Sequence, residues 1–209
     1  MDNVANLRPK AEQHPRPHSG LRPPPRRNVF ARKPRNKGEI GERLTARDGK
    51  ALVLRQIHAD DTEALQRFFG RLTPLEVRMR FLHPMNEMPE PFARQLCELD
   101  PGCAVAWVLG EPDDAPRAEI YGVARIYVDK TLEQAEFGIV VQGRFARQGF
   151  GTLLMRRAIE SARKLGAVEV WSNVLIENEP MLGLCESLGF TRSMPPHDPG
   201  ILRVSLALT

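Results

Sequence analysis

The chain has little of what a disulfide-bonded, metal-bound or membrane-spanning protein needs. Its 209 residues include three cysteines, Cys97, Cys103 and Cys185. They show no CxxC spacing and cannot all pair, which points to buried free thiols in a reducing cytosol. Five histidines are scattered: His14 and His18 near the N-terminus, then His58, His83 and His197, each isolated. None has ligand spacing, so no metal is expected. No apolar run approaches the ~20 residues of a membrane helix. The first twenty residues lack the apolar core of a secretory signal, so the expectation is a cytoplasmic protein with no membrane partner.

Basic charge is abundant, but only at one end. Residues 1–50 hold 13 Lys and Arg against 5 Asp and Glu, whereas the remainder holds 17 against 21. Residues 1–47 also carry 7 of the 18 prolines and few large apolar side chains. Such a segment cannot offset its chain entropy by burial, and the expectation for 1–47 is a disordered basic tail. It is either a tether for an acidic partner or a solvated tail; aromatics that would stack on bases are not interleaved with its charges. Residues 48–209 are expected to form one domain.

Within that domain, Leu52–Ile57 reads as a first strand. Asp60 or Asp61 opens a helix with an apolar face at Leu65, Phe68, Phe69 and Leu72. Thr73-Pro74-Leu75-Glu76 is a helix start with a capping box, and a third helix begins at Pro89 or Pro91. Strands are expected at 103–109, 120–128 and 133–141, then a helix over 150–165, a strand over 168–174, a helix over 180–188 and a closing strand over 202–208. This order predicts an α/β sandwich: a mixed sheet with helices on both faces.

The stretch richest in chemical meaning is Glu136 to Arg157, EFGIVVQGRFARQGFGTLLMRR. A strand runs into Arg147-Gln148-Gly149-Phe150-Gly151-Thr152, and a helix follows. Exposed N–H groups and the helix dipole make such a turn an anion site, suited to a nucleotide diphosphate. A Walker A loop is excluded because no Lys-Ser/Thr follows Gly151. A Rossmann fingerprint is disfavoured because Leu154 stands where a third glycine belongs.

Strand, Arg-Gln-Gly-Phe-Gly turn, helix and strand are followed by Asn178 at the start of a last helix that closes on Leu188-Gly189-Phe190. This arrangement resembles the GNAT (Gcn5-related N-acetyltransferase) superfamily, whose motif is Q/R-x-x-G-x-G/A. From Ala51 to Thr209 the chain is most similar to the catalytic domain of bacterial Pat-type protein lysine acetyltransferases. The matching pieces are Arg71-Leu72-Thr73-Pro74, Arg80-Phe81-Leu82-His83-Pro84-Met85, Ala135 to Val141, and Ile176-Glu177-Asn178-Glu179-Pro180-Met181.

The resemblance implies a mostly antiparallel sheet, acetyl-CoA as co-substrate and an amine acceptor, a protein lysine in the Pat-type relatives. Glu136 is the implied general base, with Glu177 assisting or orienting the acceptor. A bulge at Gly138 is implied, with the backbone of Ile139, Val140 and Val141 beside the pantetheine arm and thioester. Arg147, Gln148, Gly149, Phe150, Gly151 and Thr152 are implied at the diphosphate, and Asn178 at the pantetheine amides or as a helix cap. Two positions depart from the pattern. Ala146 stands where the motif has a basic or amide side chain. Cys185 falls, by counting back from Gly189-Phe190, where many relatives have an acid tyrosine, leaving Cys185, water or no acid to protonate the thiolate. A small-molecule amine acetyltransferase and a non-catalytic acyl-CoA sensor are the alternatives.

Overall fold

The computed structural model describes residues 41–112, 118–195 and 198–208. An eight-stranded sheet organises them. Its strands are β1 (Glu42–Thr45), β2 (Ala51–Gln56), β3 (Ala104–Gly110), β4 (Ile120–Asp129), β5 (Gln134–Val141), β6 (Glu169–Leu175), β7 (Thr191–Ser193) and β8 (Ile201–Ala207). The spatial order is β1-β2-β3-β4-β5-β6-β8-β7. Every neighbouring pair is antiparallel except β5 and β6, which run parallel.

Alternation along the strands divides the apolar side chains between two cores. On one face, α4 (Phe150–Lys164) and α5 (Glu179–Ser187) cover Ala124, Ile126, Phe137 and Val170. On the other, α1 (Thr62–Gly70), α2 (Pro74–Phe81) and α3 (Glu90–Cys97) cover Val108 and Val123. The expected mixed sheet with helices on both faces is what the chain adopts.

Three local expectations change. Ordered chain begins before residue 48: Glu42–Thr45 pairs with Ala51–Leu54, Leu44 packs on the α4-side core, and Ala46 is buried. One apolar side chain in a four-residue hairpin arm is too weak a pattern to read without its partner strand. The rest of the expected tail, residues 1–40, lies outside the described residues. Asp61 does not cap α1 through its side chain. It accepts from both terminal nitrogens of Arg55, at 2.7 and 2.9 Å, and from the His58 N–H at 2.7 Å. A buried arginine needs such a partner more than a helix end does, because a helix end can turn to water. Finally, β4 and β5 pair without a register shift from Gly122–Val141 to Asp129–Gln134, so Gly138 makes no bulge toward β4.

The capping box at Thr73 forms as expected. Thr73 Oγ1 accepts from the Glu76 N–H, and Glu76 Oε2 accepts from the Thr73 N–H at 2.7 Å. The other oxygen of Glu76 accepts from the Gly143 N–H at 2.7 Å. One carboxylate therefore both starts α2 and ties it to the turn after β5.

Candidate active site

Parallel pairing of β5 and β6 covers only Gln134–Glu136 and Glu169–Trp171. Beyond Glu136 the two strands part, and a cleft of about 460 Å³ opens between them. Two hydrogen bonds fix which backbone groups face it. Glu133 C=O accepts from Val168 on the β6 side, and Gln142 N–H donates to Tyr121 on the β4 side. By alternation, the N–H and C=O of Ile139 and Val141 point into the cleft. Those groups have lost the strand that would pair them, and they suit a ligand carrying amides.

The turn after β5 closes one end. Arg147 and Gly149 both adopt the left-handed conformation, with φ of 55° and 86°. The first intrahelical bond of α4 runs from Leu153 N–H to Gly149 C=O, and no side chain caps the helix. The N–H groups of Phe150, Gly151 and Thr152 are thus left for an anion. Arg147 and Gly151 line the cleft. Gln148 does not: its Oε1 accepts from the Arg47 N–H at 2.9 Å, and its Nε2 donates to Arg144 C=O. Arg47 also donates to Arg147 C=O at 2.8 Å, so the β1–β2 turn braces this loop. The Phe150 side chain is buried, with its ring edge toward Phe145. Gly149 and Thr152 stand at the helix start without lining the cleft.

Glu136 lies where the strands part, on the face opposite α4 and α5, and Asn173 of β6 lines the same cleft. Arg125, opposite Gly138 on β4, donates to Leu96 C=O. The arginine beside Glu136 is Arg80 of α2. Burial lowers the Arg80 pKa to about 10, against the opposing pull of the Glu136 charge. A helix arginine reads in sequence as solvated, and only the glycine at 138 hints that something large lies over the strand.

Glu177 lines the cleft mouth and pairs with Arg78, both about half exposed. Asn178 accepts from the Met181 N–H at 3.2 Å, capping α5, and is also among the residues that line the cleft. Cys185 is elsewhere. It is fully buried in the α4-side core, and burial pushes its thiol up to about 12. The α5 residues that line the cleft are Pro180, Met181 and Leu184, none an acid. Counting back along α5 reached the helix face turned into the core.

A family model described as an acetyltransferase (GNAT) domain matches residues 51–191. The chain belongs to the GNAT family. An acetyltransferase of Pseudomonas aeruginosa is 28% identical over 151 residues, 72% of this chain and 81% of the relative. A ribosomal protein bS18-alanine N-acetyltransferase of Salmonella typhimurium is 30% identical over 77 residues, 37% of this chain and 50% of the relative. The GNAT domain of S. lividans PAT shares the fold, with a TM-score of 0.69 at 20% identity, covering 80% of this chain and 97% of that one. This GNAT protein is an acetyl-CoA-dependent N-acetyltransferase. The unpaired strand edge at Ile139 and Val141 and the uncapped start of α4 fit the amides and diphosphate of that co-substrate.

Proposed function

We propose that this acetyltransferase delivers the acetyl group to lysine side chains of proteins by direct attack, with Glu136 as the general base. The observation that carries this reading is the position of Glu136 at the parting of β5 and β6, one cleft wall away from the open backbone of Ile139.

A lysine amine, with a pKa of ~10.4, reaches the cleft mostly as ammonium and must lose a proton before it attacks. Glu136 takes that proton directly or through one water. Ile139 N–H holds the thioester oxygen as the amine nitrogen bonds to the carbonyl carbon. As the C–S bond breaks, the nitrogen gives up its second proton to become the amide, and a water relays that proton to the departing thiolate, since no α5 side chain lining the cleft is an acid. Arg147 and the N–H groups opening α4 hold the diphosphate, and Asn178 reaches the pantetheine amides while it caps α5.

Glu177 is assigned to orienting the incoming cation at the mouth, since Arg78 already engages it. A protein acceptor accords with the rim. Leu75, which lines the cleft, is 58% exposed, and Ile176, beside Glu177 in the chain, is 49% exposed, so exposed apolar side chains accompany the Arg78–Glu177 pair near the cleft, a mix suited to a protein surface. The Salmonella relative named above also acts, by its name, on a protein.

Incubation with labelled acetyl-CoA and a cell lysate tests the acceptor class. Label in protein lysines is expected. Label confined to small amines would transfer the reading to metabolite acetylation, and label in neither would contradict it.

A further inference from the structure

The α1–α3 face of the sheet carries a charge arrangement that the acetyl-transfer chemistry does not by itself require. Gly138 is two residues from Glu136 on the same side of β5. A Cβ there would lie 2.5 Å from the Arg80 Cζ and 2.6 and 2.8 Å from its terminal nitrogens. Real Cβ atoms do not approach so closely, so the guanidinium occupies the volume that any other residue at 138 would fill. Arg80 is seated over the strand and its charge acts on Glu136. It stays partly open to the cleft, which it lines, and packs against the Phe81 ring at 4.9 Å.

We propose that Arg80 is the positioning residue for Glu136: seated over Gly138, its guanidinium keeps the carboxylate ionised and fixed at the parting of the strands. The inference rests on the base reading of Glu136 and names what prepares that base.

The surroundings of Glu136 make Arg80 the group that decides its state. From β4, Tyr127 stands directly opposite Glu136, and Arg125 stands opposite Gly138. From β6 come Trp171, in register with Glu136, and Asn173. At the mouth stand Arg78 and Glu177, already paired with each other. Arg125 is buried and directed to Leu96 C=O, and burial together with the Arg80 charge lowers its pKa to about 9. Both arginines therefore stay cationic at neutral pH, and Arg80 is the one whose charge meets that of Glu136. A proton placed on Glu136 would take the opposing charge away from the buried Arg80 guanidinium, so Glu136 returns to the ionised form after each transfer. The Arg80 charge also disfavours an ammonium beside it, helping the acceptor amine shed its proton.

The test is a carboxyl ¹³C titration of Glu136 by NMR, its resonance assigned by its loss in Glu136→Gln, in wild type, Arg80→Met, Arg80→Lys and Gly138→Ala. In Arg80→Met the Glu136 midpoint is expected to rise by roughly one pH unit or more, the low end for removing an adjacent opposite charge. Gly138→Ala should reproduce the rise with Arg80 still present, because its methyl displaces the flexible end of the arginine. Arg80→Lys should restore much of the wild-type midpoint. Thermal melts close to wild type in all the variants show the fold intact. An unmoved midpoint in Arg80→Met overturns the proposal. Full acetyl transfer by Glu136→Gln would overturn the base reading instead, while leaving the titration result standing.

Discussion

Cys185 occupies the place that motif counting gives to a proton donor, yet its thiol is sealed in the core and held neutral. With its value raised from 9.0 to about 12 by burial, it binds a proton in the folded state that the unfolded chain releases. Its contribution is therefore intact below pH 9.0 and is lost as pH rises toward about 12. Cys185→Ala should keep turnover within about two-fold while costing ~1 kcal/mol from the small cavity. Its stability should also fall less steeply than wild type over that alkaline window, as followed by denaturant titrations at stepped pH. At this scale Glu136 and Asn178 could be read from sequence because family motifs mark them. Arg80 and Asp61 could not, because each is defined by a partner: Gly138 and Glu136 for one, Arg55 for the other. Spacing along a chain does not reveal which charges meet across a fold.

Elements carry the next level. The α2 helix serves the cleft through Glu76, whose two oxygens go to the cap at Thr73 and to the Gly143 N–H. The two functions can be separated. Thr73→Ala should cost ~1 kcal/mol of stability and leave acetyl-CoA binding almost unchanged. Glu76→Ala should add a loss of acetyl-CoA affinity, because the turn leading to α4 is released; thermal melts and calorimetry on the pair distinguish them. At the start of α4, Gly151 lines the cleft, and its added Cβ would meet only Leu184, at 3.5 Å. Gly151→Glu should fold well, since an acid suits a helix N-terminus, yet abolish acetyl-CoA binding by setting a carboxylate where the diphosphate belongs. The major strands and helices were legible from period and capping residues. The hairpin arm β1 and the three-residue β7 were not, since all three residues of Thr191–Ser193 are exposed and show no alternation to read. The gap between β5 and β6 beyond Glu136 and Trp171 has no marker in the strand patterns themselves.

Across the whole molecule, the sheet is a wall between two kinds of work. In the proposed reading its α4 and α5 face supplies the co-substrate grip, and its α1–α3 face carries Glu136 and the charges around it, with the cleft between the two. All residues lining that cleft lie between Leu75 and Leu184. The co-substrate grip should therefore survive removal of residues 1–40, whereas removal through residue 50 should lower the melting temperature and weaken acetyl-CoA binding by stripping β1 and the Arg47 brace from the 147–148 turn. The central claim is that the carboxylate at the parting of the strands takes the acceptor's proton. Single-turnover acetyl transfer by Glu136→Gln, with acetyl-CoA affinity measured on the same sample, tests it most directly. The rate should drop at least ~100-fold with affinity unchanged; a near-wild-type rate throughout the neutral pH range, with acetyl-CoA bound as before, would contradict it.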